Sequence, residues 1–378
     1  MSGELSPDSP LPSSWNGRTT ATIRRKILAW FAKHQRQLPW RHTRDPYRIW
    51  VSEVMLQQTT VAAVLPYFER FLLAFPTVQH LAAADEQAVL KLWQGLGYYR
   101  RARHLHAAAK TLVQDHSGEL PDDPAVWAEL PGVGRYILGA VLSQAFDRRL
   151  PIVEANTLRV FSRLCGSMLD PRSGAGLRWV WAAAERLLPG KCIGDFNQAM
   201  MELGALICTP ATPNCHKCPL NKECIAFAEG IQETIPPKAR RVEGQSVREV
   251  AVVLRNAGKI LICQRPTHAS RWPLMWEIPH GEVYEGEEET KAAKRIAMSI
   301  GFTASIGPEI MAIRHTVTRF SITMLAFEAN AIAGEFNSQF YMAGEWRKPS
   351  EMSDLPTSAP QQILLKELGM KNRQKRLF

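Results

Sequence analysis

Four cysteines, Cys208, Cys215, Cys218 and Cys224, fall within 17 residues in the pattern Cys-x6-Cys-x2-Cys-x5-Cys. Thiolates this close in sequence can converge on one soft metal centre without the entropic cost of closing a long loop. Structural zinc is the competing reading, but such sites draw their ligands as two close pairs, and only Cys215 and Cys218 form one here. The spacing favours an iron-sulfur centre. A disulfide framework does not fit a chain this long with its cysteines this crowded. The other three, Cys165, Cys192 and Cys263, lie in apolar or isolated contexts and read as inert packing residues.

At 378 residues the chain has room for two domains, each burying its own core. Its 46% apolar and 22% charged residues are those of a folded globular protein rather than a disordered one. A formal charge of +10 calls for a polyanionic partner, and nucleic acid and an anionic membrane surface both satisfy it. Between Trp15 and Arg48, lysines and arginines run against a single acid, Asp45, interleaved with Trp30, Trp40 and Tyr47. This suits a nucleic-acid face, with a solvated basic helix as the plain alternative. No stretch reaches the roughly 18 apolar residues that span a bilayer, and the opening residues lack the charged and apolar regions of a secretory signal. A cytoplasmic location is expected.

Residues 1–18, rich in Ser and Pro, show no apolar periodicity and read as a disordered tail. From 19 to 231, apolar residues recur three and four apart between Pro- and Gly-containing breaks, the pattern of an all-α domain. Residues 232–247, polar and carrying Pro236, Pro237 and a basic cluster, read as an interdomain linker. The pattern over 248–348 is α+β. Strands are expected at 249–255 and 259–265 around an Asn256-Ala257-Gly258 turn, a helix at 286–299 stopped by Gly301, and a strand at 320–327. A short helix and a basic tail make up 349–378.

The segment Leu130-Pro131-Gly132-Val133-Gly134-Arg135-Tyr136 precedes an apolar helix at 137–146. Gly132 and Gly134 let the backbone approach a phosphate, and the helix N-terminus offers it unpaired N–H groups and the positive end of a dipole. Such a turn anchors DNA without reading its sequence. Together with the cysteine set that closes the helical domain, it resembles the endonuclease III and adenine glycosylase superfamily. The resemblance implies a multidomain protein: an all-α helix-hairpin-helix glycosylase domain with a structural 4Fe-4S cluster on Cys208, Cys215, Cys218 and Cys224, followed by an α+β Nudix-like domain. His216, Lys217 and Lys222 would lie on a loop that the cluster orients toward DNA. In the superfamily's bifunctional lyases a lysine stands where this chain has Tyr136. A phenol forms no Schiff base with the sugar, so base removal without efficient strand cleavage is expected.

The run from Pro39-Trp40-Arg41 through Asp45-Pro46-Tyr47 to Ser52–Thr59 resembles the adenine glycosylases in particular. Glu53 falls in a helix between apolar residues 49–51 and 54–56, where burial would hold its carboxyl protonated near neutrality. Neutral adenine leaves only after a ring nitrogen is protonated, N7 by the resemblance, and Glu53 is the expected acid. A solvent-facing glutamate is the alternative. A second carboxylate must offset the positive charge that develops on the sugar. In the family it is the Asp of a V-D-G-N motif, but here the motif reads Val153-Glu154-Ala155-Asn156. Glu154 is expected in that role, displaced by about one methylene, with Asn156 helping to hold the site. Flipping the target base needs side chains to fill the gap it leaves. The resemblance assigns this to Gln58 and Tyr98, and counts Arg41 among the DNA contacts. Phe196–Gly204 reads as helix packing near the site, with contacts by Asn197 or Gln198 as the alternative.

Residues 248–348 resemble the Nudix-like domain with which adenine glycosylases sense the opposite base. Gly281, Glu287 and Arg295 fit the start of a Nudix hydrolase box, but its next magnesium-binding acids would fall on Ile296, Ser299 and Ile300. Hydrolysis is therefore expected to be lost. Where the family has a Phe-Ser-His tip for 8-oxoguanine, this chain has Val317-Thr318-Arg319 after His315, and His315, Thr318 and Arg319 are the candidate contacts. The activity implied is base-excision repair: monofunctional hydrolysis of the N-glycosidic bond of adenine paired with 8-oxoguanine or G in double-stranded DNA. The protein would act as a monomer associated with the nucleoid. A non-catalytic damage-binding homologue, which the Glu154 change would suit, and a glycosylase of altered opposite-base specificity are the competing readings. The final Gln374-Lys375-Arg376-Leu377-Phe378 resembles peptides that dock on the bacterial sliding clamp, and a solvated basic tail is the plainer reading.

Overall fold

The structure, a computed structural model, describes residues 8–238, 244–317 and 319–374, with side chains as far as 369. Its helices before the linker are α1 (Gly17–His34), α2 (Pro46–Leu56), α3 (Val61–Ala74), α4 (Val78–Ala83), α5 (Glu86–Trp93), α6 (Arg100–His116), α7 (Pro124–Glu129), α8 (Arg135–Phe146), α9 (Ala155–Cys165), α10 (Gly174–Leu187), α11 (Ile193–Leu206) and α12 (Ile225–Ala228). After it come β1 (Gln245–Asn256), β2 (Lys259–Gln264), β3 (Trp276–Glu277), β4 (His280–Glu282), α13 (Glu289–Ser299), β5 (Phe302–Val317), β6 (Phe320–Gly334), β7 (Ala343–Arg347) and α14 (Ala359–Gln374). No helix among the described residues is long and apolar enough to cross a membrane.

The chain forms two compact units, Met1–Val64 with Thr77–Gln79 and Ala107–Arg240, and Leu65–Pro76 with His80–His106 and Arg241–Phe378. The helical segment expected as one block is thus split between them. In the second unit the reason is visible in α5: Gln87 accepts the indole N–H of Trp276 (3.2 Å), Gln94 donates to the Thr357 hydroxyl (3.2 Å), and Lys91 donates to the Leu355 carbonyl (3.4 Å).

The core of the first unit follows from the four-residue spacing of Ile23, Ile27 and Phe31 on α1, which bury one stripe against Trp179 and Val180 of α10 and Phe196 and Leu203 of α11. Asn16 caps α1 by accepting from the backbone N–H groups of Arg18 and Thr19. Leu11 and Trp15 pack against this core, so the expected disordered tail is anchored over those residues by apolar burial. Helix α8 ends at Asp147, whose carboxylate accepts from the backbone N–H groups of Cys192 (3.0 Å), Ile193 (2.5 Å) and Gly194 (3.2 Å) at the start of α11. A Cβ on Gly194 would lie 2.5 Å from the Ser143 carbonyl oxygen and 2.9 Å from Gln144 Cα, so α11 reaches α8 this closely only because residue 194 is glycine.

The second unit is built on a mixed seven-stranded sheet of order β3-β2-β1-β6-β5, with β4 also on β1 and β7 on β2. Strands β1 and β6 are parallel; the other pairs are antiparallel. Val250, Val252 and Leu254 face Ala292, Ala293 and Ile296 of α13, while Ala251 and Val253 face Leu364 and Leu368 of α14. Helices on both faces are why β1 is a continuous apolar run rather than an alternating one. The helix expected from 286 begins at Glu289, and the strand expected at 320–327 continues to Gly334. Its partner β5 was not legible beforehand: register shifts around Ile306, Glu309 and Met311 break the period of two.

Candidate functional site

Asp45 starts α2 by accepting from the Tyr47 backbone N–H, and the helix then buries Ile49, Trp50, Val51, Ser52, Val54 and Met55. Glu53 therefore sits inside the first unit, 3% exposed. Its two oxygens are held from α8. The Tyr136 hydroxyl donates to Oε2 at 2.5 Å and Gln144 Nε2 donates to Oε1 at 2.8 Å. Tyr136 and Gln144 lie eight residues apart, just over two turns, and so share one face of α8. Burial pushes the Glu53 carboxyl up, the two donors oppose that, Glu154 adds to the rise and Arg41 subtracts from it; the net direction is upward. The Tyr136 phenol is pushed well above its ordinary value by burial and by Glu53, so it stays protonated.

Glu154 is the N-cap of α9. Its Oε1 accepts from the Thr157 backbone (2.9 Å), its Oε2 from the Asn156 backbone (2.8 Å) and side chain (3.2 Å), and Thr157 Oγ1 accepts from the Glu154 backbone (2.9 Å). This is a closed capping box, in which the longer glutamate side chain folds back onto its own helix. Burial raises its carboxyl, against the pull of these donors. Asn156 Oδ1 accepts from Arg159 (2.9 Å), which also donates to the carbonyls of Gly204 (2.8 Å) and Cys208 (2.7 Å). A Cβ on Gly204 would stand 2.6 Å from Asn156 Cβ, so this glycine lets α11 close on the site.

Arg41, a candidate DNA contact from sequence, is instead sequestered. It donates through both terminal nitrogens to Glu202 (2.9 and 2.8 Å), whose side chain is fully buried, because that carboxylate requires charge neutralisation. Arg36 donates to the same carboxylate from Nε (2.9 Å) and Nη2 (2.6 Å). Burial works against the charge on Glu202, but the arginines prevail and hold its carboxyl down at about 2. Sequence reasoning missed Glu202, Arg36 and Gln144; the available signal was a lone acid inside the apolar run Phe196–Gly204. Asn197 is buried and serves packing, donating to the Ser143 hydroxyl (3.0 Å) and the Leu150 carbonyl (2.8 Å).

In the hairpin between α7 and α8, Gly132 has φ +77°, a left-handed conformation that favours glycine. Gly134 is the N-cap of α8 with no side-chain cap, and a Cβ there would meet nothing within 4 Å. Gln58 and Tyr98, the expected gap fillers, are both exposed and both left-handed, with φ 56° and 48°. Backbone strain on non-glycine residues recurs at ligand contacts. Tyr98 lies beside Arg101, whose guanidinium stands 5.5 Å from its ring centre.

Arg319 is exposed beside Phe320. His315 is half-buried on β5, with its ring 6.1 Å from that of Trp272 and both ring nitrogens buried without a hydrogen-bond partner among the described residues. Thr318 and residues 375–378 of the terminal motif lie outside the described residues. At the Nudix-type box, Glu287 is held by Arg295 (2.7 and 2.9 Å), which keeps its carboxyl at about 2, while Ile296 and Ile300 are buried.

Cys208, Cys215, Cys218 and Cys224 line a single cavity with Arg163, Asn221, Phe227 and Gln232. Arg163 Nη1 donates to Cys208 Sγ (3.4 Å) and the Leu220 backbone to Cys218 Sγ (3.4 Å). Burial and the neighbouring sulfurs push the Cys218 thiol up to about 12 and the Cys224 thiol to about 11, so these two would be unstable as bare thiolates without a cation beside them. Gln232 Oε1 is buried there without a partner. Among the described residues no group of three or more His, Cys, Asp or Glu side chains stands ready to hold a metal ion.

The family model described as "HhH-GPD superfamily base excision DNA repair protein" matches residues 51–173, and that of the NUDIX domain matches 249–367. The chain is 34% identical over 255 residues to the adenine DNA glycosylase of Buchnera aphidicola subsp. Schizaphis graminum, covering 67% of this chain and 73% of that protein. The chain belongs to the adenine DNA glycosylase family. The family's rat member is 43% identical over 213 residues, 54% of this chain but 41% of that protein. The chain spans about half the length, or less, of its rat, mouse, human and Arabidopsis thaliana relatives. Among solved structures a thermostable thymine-DNA glycosylase superposes with a TM-score of 0.52 at 30% identity, over 56% of this chain and 98% of that one. The architecture is thus a helix-hairpin-helix glycosylase domain followed by a Nudix-like domain on a mixed sheet.

Proposed function

We propose that this chain is a monofunctional DNA glycosylase that hydrolyses the N-glycosidic bond of adenine opposite 8-oxoguanine or G in duplex DNA. The observation that carries the reading is a buried glutamate whose carboxyl pKa is raised, hydrogen-bonded to a tyrosine where a lyase would need an amine. Protonated Glu53 delivers its proton to N7 of the flipped adenine, which turns a poor leaving group into a good one. Tyr136 takes up the hydrogen-bonding change at Oε2. Glu154, its charge oriented by Asn156 and Thr157, faces the cation that develops on the sugar.

Gly132 and Gly134 with the open start of α8 hold a backbone phosphate, Gln58 fills the gap left by the base, and Tyr98 and Arg319 are DNA contacts of the second unit. The four cysteines fit a 4Fe-4S cluster: they share one cavity, and backbone and arginine N–H groups already point at two of the sulfurs. When bound, the cluster ties the 208–224 loop together; Arg159 joins that loop to Asn156.

Single-turnover excision on duplexes carrying A opposite 8-oxoguanine, G, C or T, with T opposite G as a further substrate, tests this. Adenine release fastest opposite 8-oxoguanine and abolished by Glu53→Gln is the expected result. Exclusive thymine release would replace the reading with that of the thymine-DNA glycosylase neighbour, and no release from any duplex would leave a damage-binding protein.

A further inference from the structure

We propose that Gln144 is a positioning residue for Glu53: its amide nitrogen keeps Oε1 a permanent acceptor, so that the proton delivered to the base is carried on Oε2 and shared with Tyr136. The inference deepens the adenine-excision reading and rests on it. An amide nitrogen only donates, so Gln144 Nε2, 2.8 Å from Oε1, makes that oxygen an acceptor. A phenol both donates and accepts. With Glu53 ionised, the Tyr136 hydroxyl donates to Oε2. With Glu53 protonated, Oε2–H donates to the Tyr136 oxygen, and the phenolic hydrogen turns toward the thioether of Met201, 3.9 Å away. Both protonation states are served by the rotation of one hydroxyl while every heavy atom stays in place. The proton moves from Oε2 to the base and the phenolic hydrogen returns to the carboxylate, so charge and protons balance.

The rest of the fold holds Gln144 still. It is 6% exposed and lies where Gly194 of α11 comes close against α8, with Asp147 fastening the two helices three residues on. The other charged groups that bear on Glu53 are Glu154, which disfavours its ionised form, and Arg41, which favours it. Both remain in a Gln144→Met variant, which matches the length of glutamine and lacks the donor.

Removing a donor from the ionised form must raise the Glu53 pKa. The alkaline limb of the single-turnover rate against pH should move up by about one unit in Gln144→Met, a tenfold change in proton affinity. The maximal rate should fall and DNA affinity should not change. A lowered rate on an unshifted profile would mean mere structural support and overturn the proposal.

A second measurement needs neither the Gln144→Met variant nor activity. In the intact wild-type chain, selectively 15N-labelled at glutamine, the Gln144 side-chain amide should titrate with the Glu53 carboxyl and cease to do so in Glu53→Gln. An amide signal that ignores the Glu53 titration would overturn the assignment even if adenine is excised. A coupled titration with no excision would uphold it and remove only the functional reading.

Discussion

Arg41→Met is the most exacting perturbation of the site's framework. It removes two hydrogen bonds of 2.9 and 2.8 Å to Glu202 and leaves that buried carboxylate to Arg36, whose own side chain is about a third exposed. Lowering the Glu202 carboxyl from 4.5 to about 2 corresponds to about 3 kcal/mol of differential stabilisation, shared between Arg41 and Arg36. Breaking a buried pair from one side destabilises by a similar ~3–5 kcal/mol.

Urea unfolding at pH 7, followed by far-ultraviolet circular dichroism, should therefore show a loss of about 3 kcal/mol. The Arg41→Met, Glu202→Leu double variant should lose less than the sum of the two singles by about 2 kcal/mol, because the orphaned charge is gone. Glu202 titrates lower when folded than when unfolded. Its contribution is complete above about pH 4.5 and disappears as pH falls toward 2, and Arg41→Met should flatten that acid dependence. A single-variant loss under about 1 kcal/mol, or strict additivity in the double variant, would refute the claim that the ion triad is held by burial.

Glu53→Gln should lower the single-turnover excision rate by about 10²–10⁴ with DNA affinity unchanged, and a residual rate near wild type would remove Glu53 as the acid. Glu154→Gln should abolish excision while binding persists; because its capping bonds to Thr157 can survive as neutral ones, a rate that is retained would mean Glu154 serves only α9. Borohydride treatment during turnover should trap no covalent adduct at high yield, since Tyr136 offers no amine, and abundant adduct would contradict the monofunctional reading. Cys218→Ser should abolish iron content and visible absorbance in the purified protein, which elemental analysis and spectroscopy read directly.

Patterns that are local in the chain were legible. The cysteine spacing, the Pro-Gly-Val-Gly hairpin and the change from helical periodicity to short apolar strands around a turn each need only neighbouring residues, and the structure has a helical segment and a mixed sheet in that order. The split of the helical segment was not legible, because it depends on bonds between α5 and residues near 276 and 355, far away in sequence. Strand β5 was missed because its bulges break the alternation. Arg41 looked like a DNA contact because a polar side chain in a motif carries no mark of which way it faces.

The sequence by itself determined which chemical groups are available: an acid at 53 with no amine at 136, a glutamate in place of the family aspartate at 154, and four clustered thiols. Tertiary structure alone decided how those groups behave. Glu53 becomes a candidate acid because α8 seals it from water and presents one fixed donor and one reversible hydroxyl to its two oxygens. Arg41 is withdrawn from the surface because a carboxylate on α11, 161 positions away, cannot be buried without it. Desolvation and pairing energies depend on distances through space, and residue spacing along the chain does not contain them.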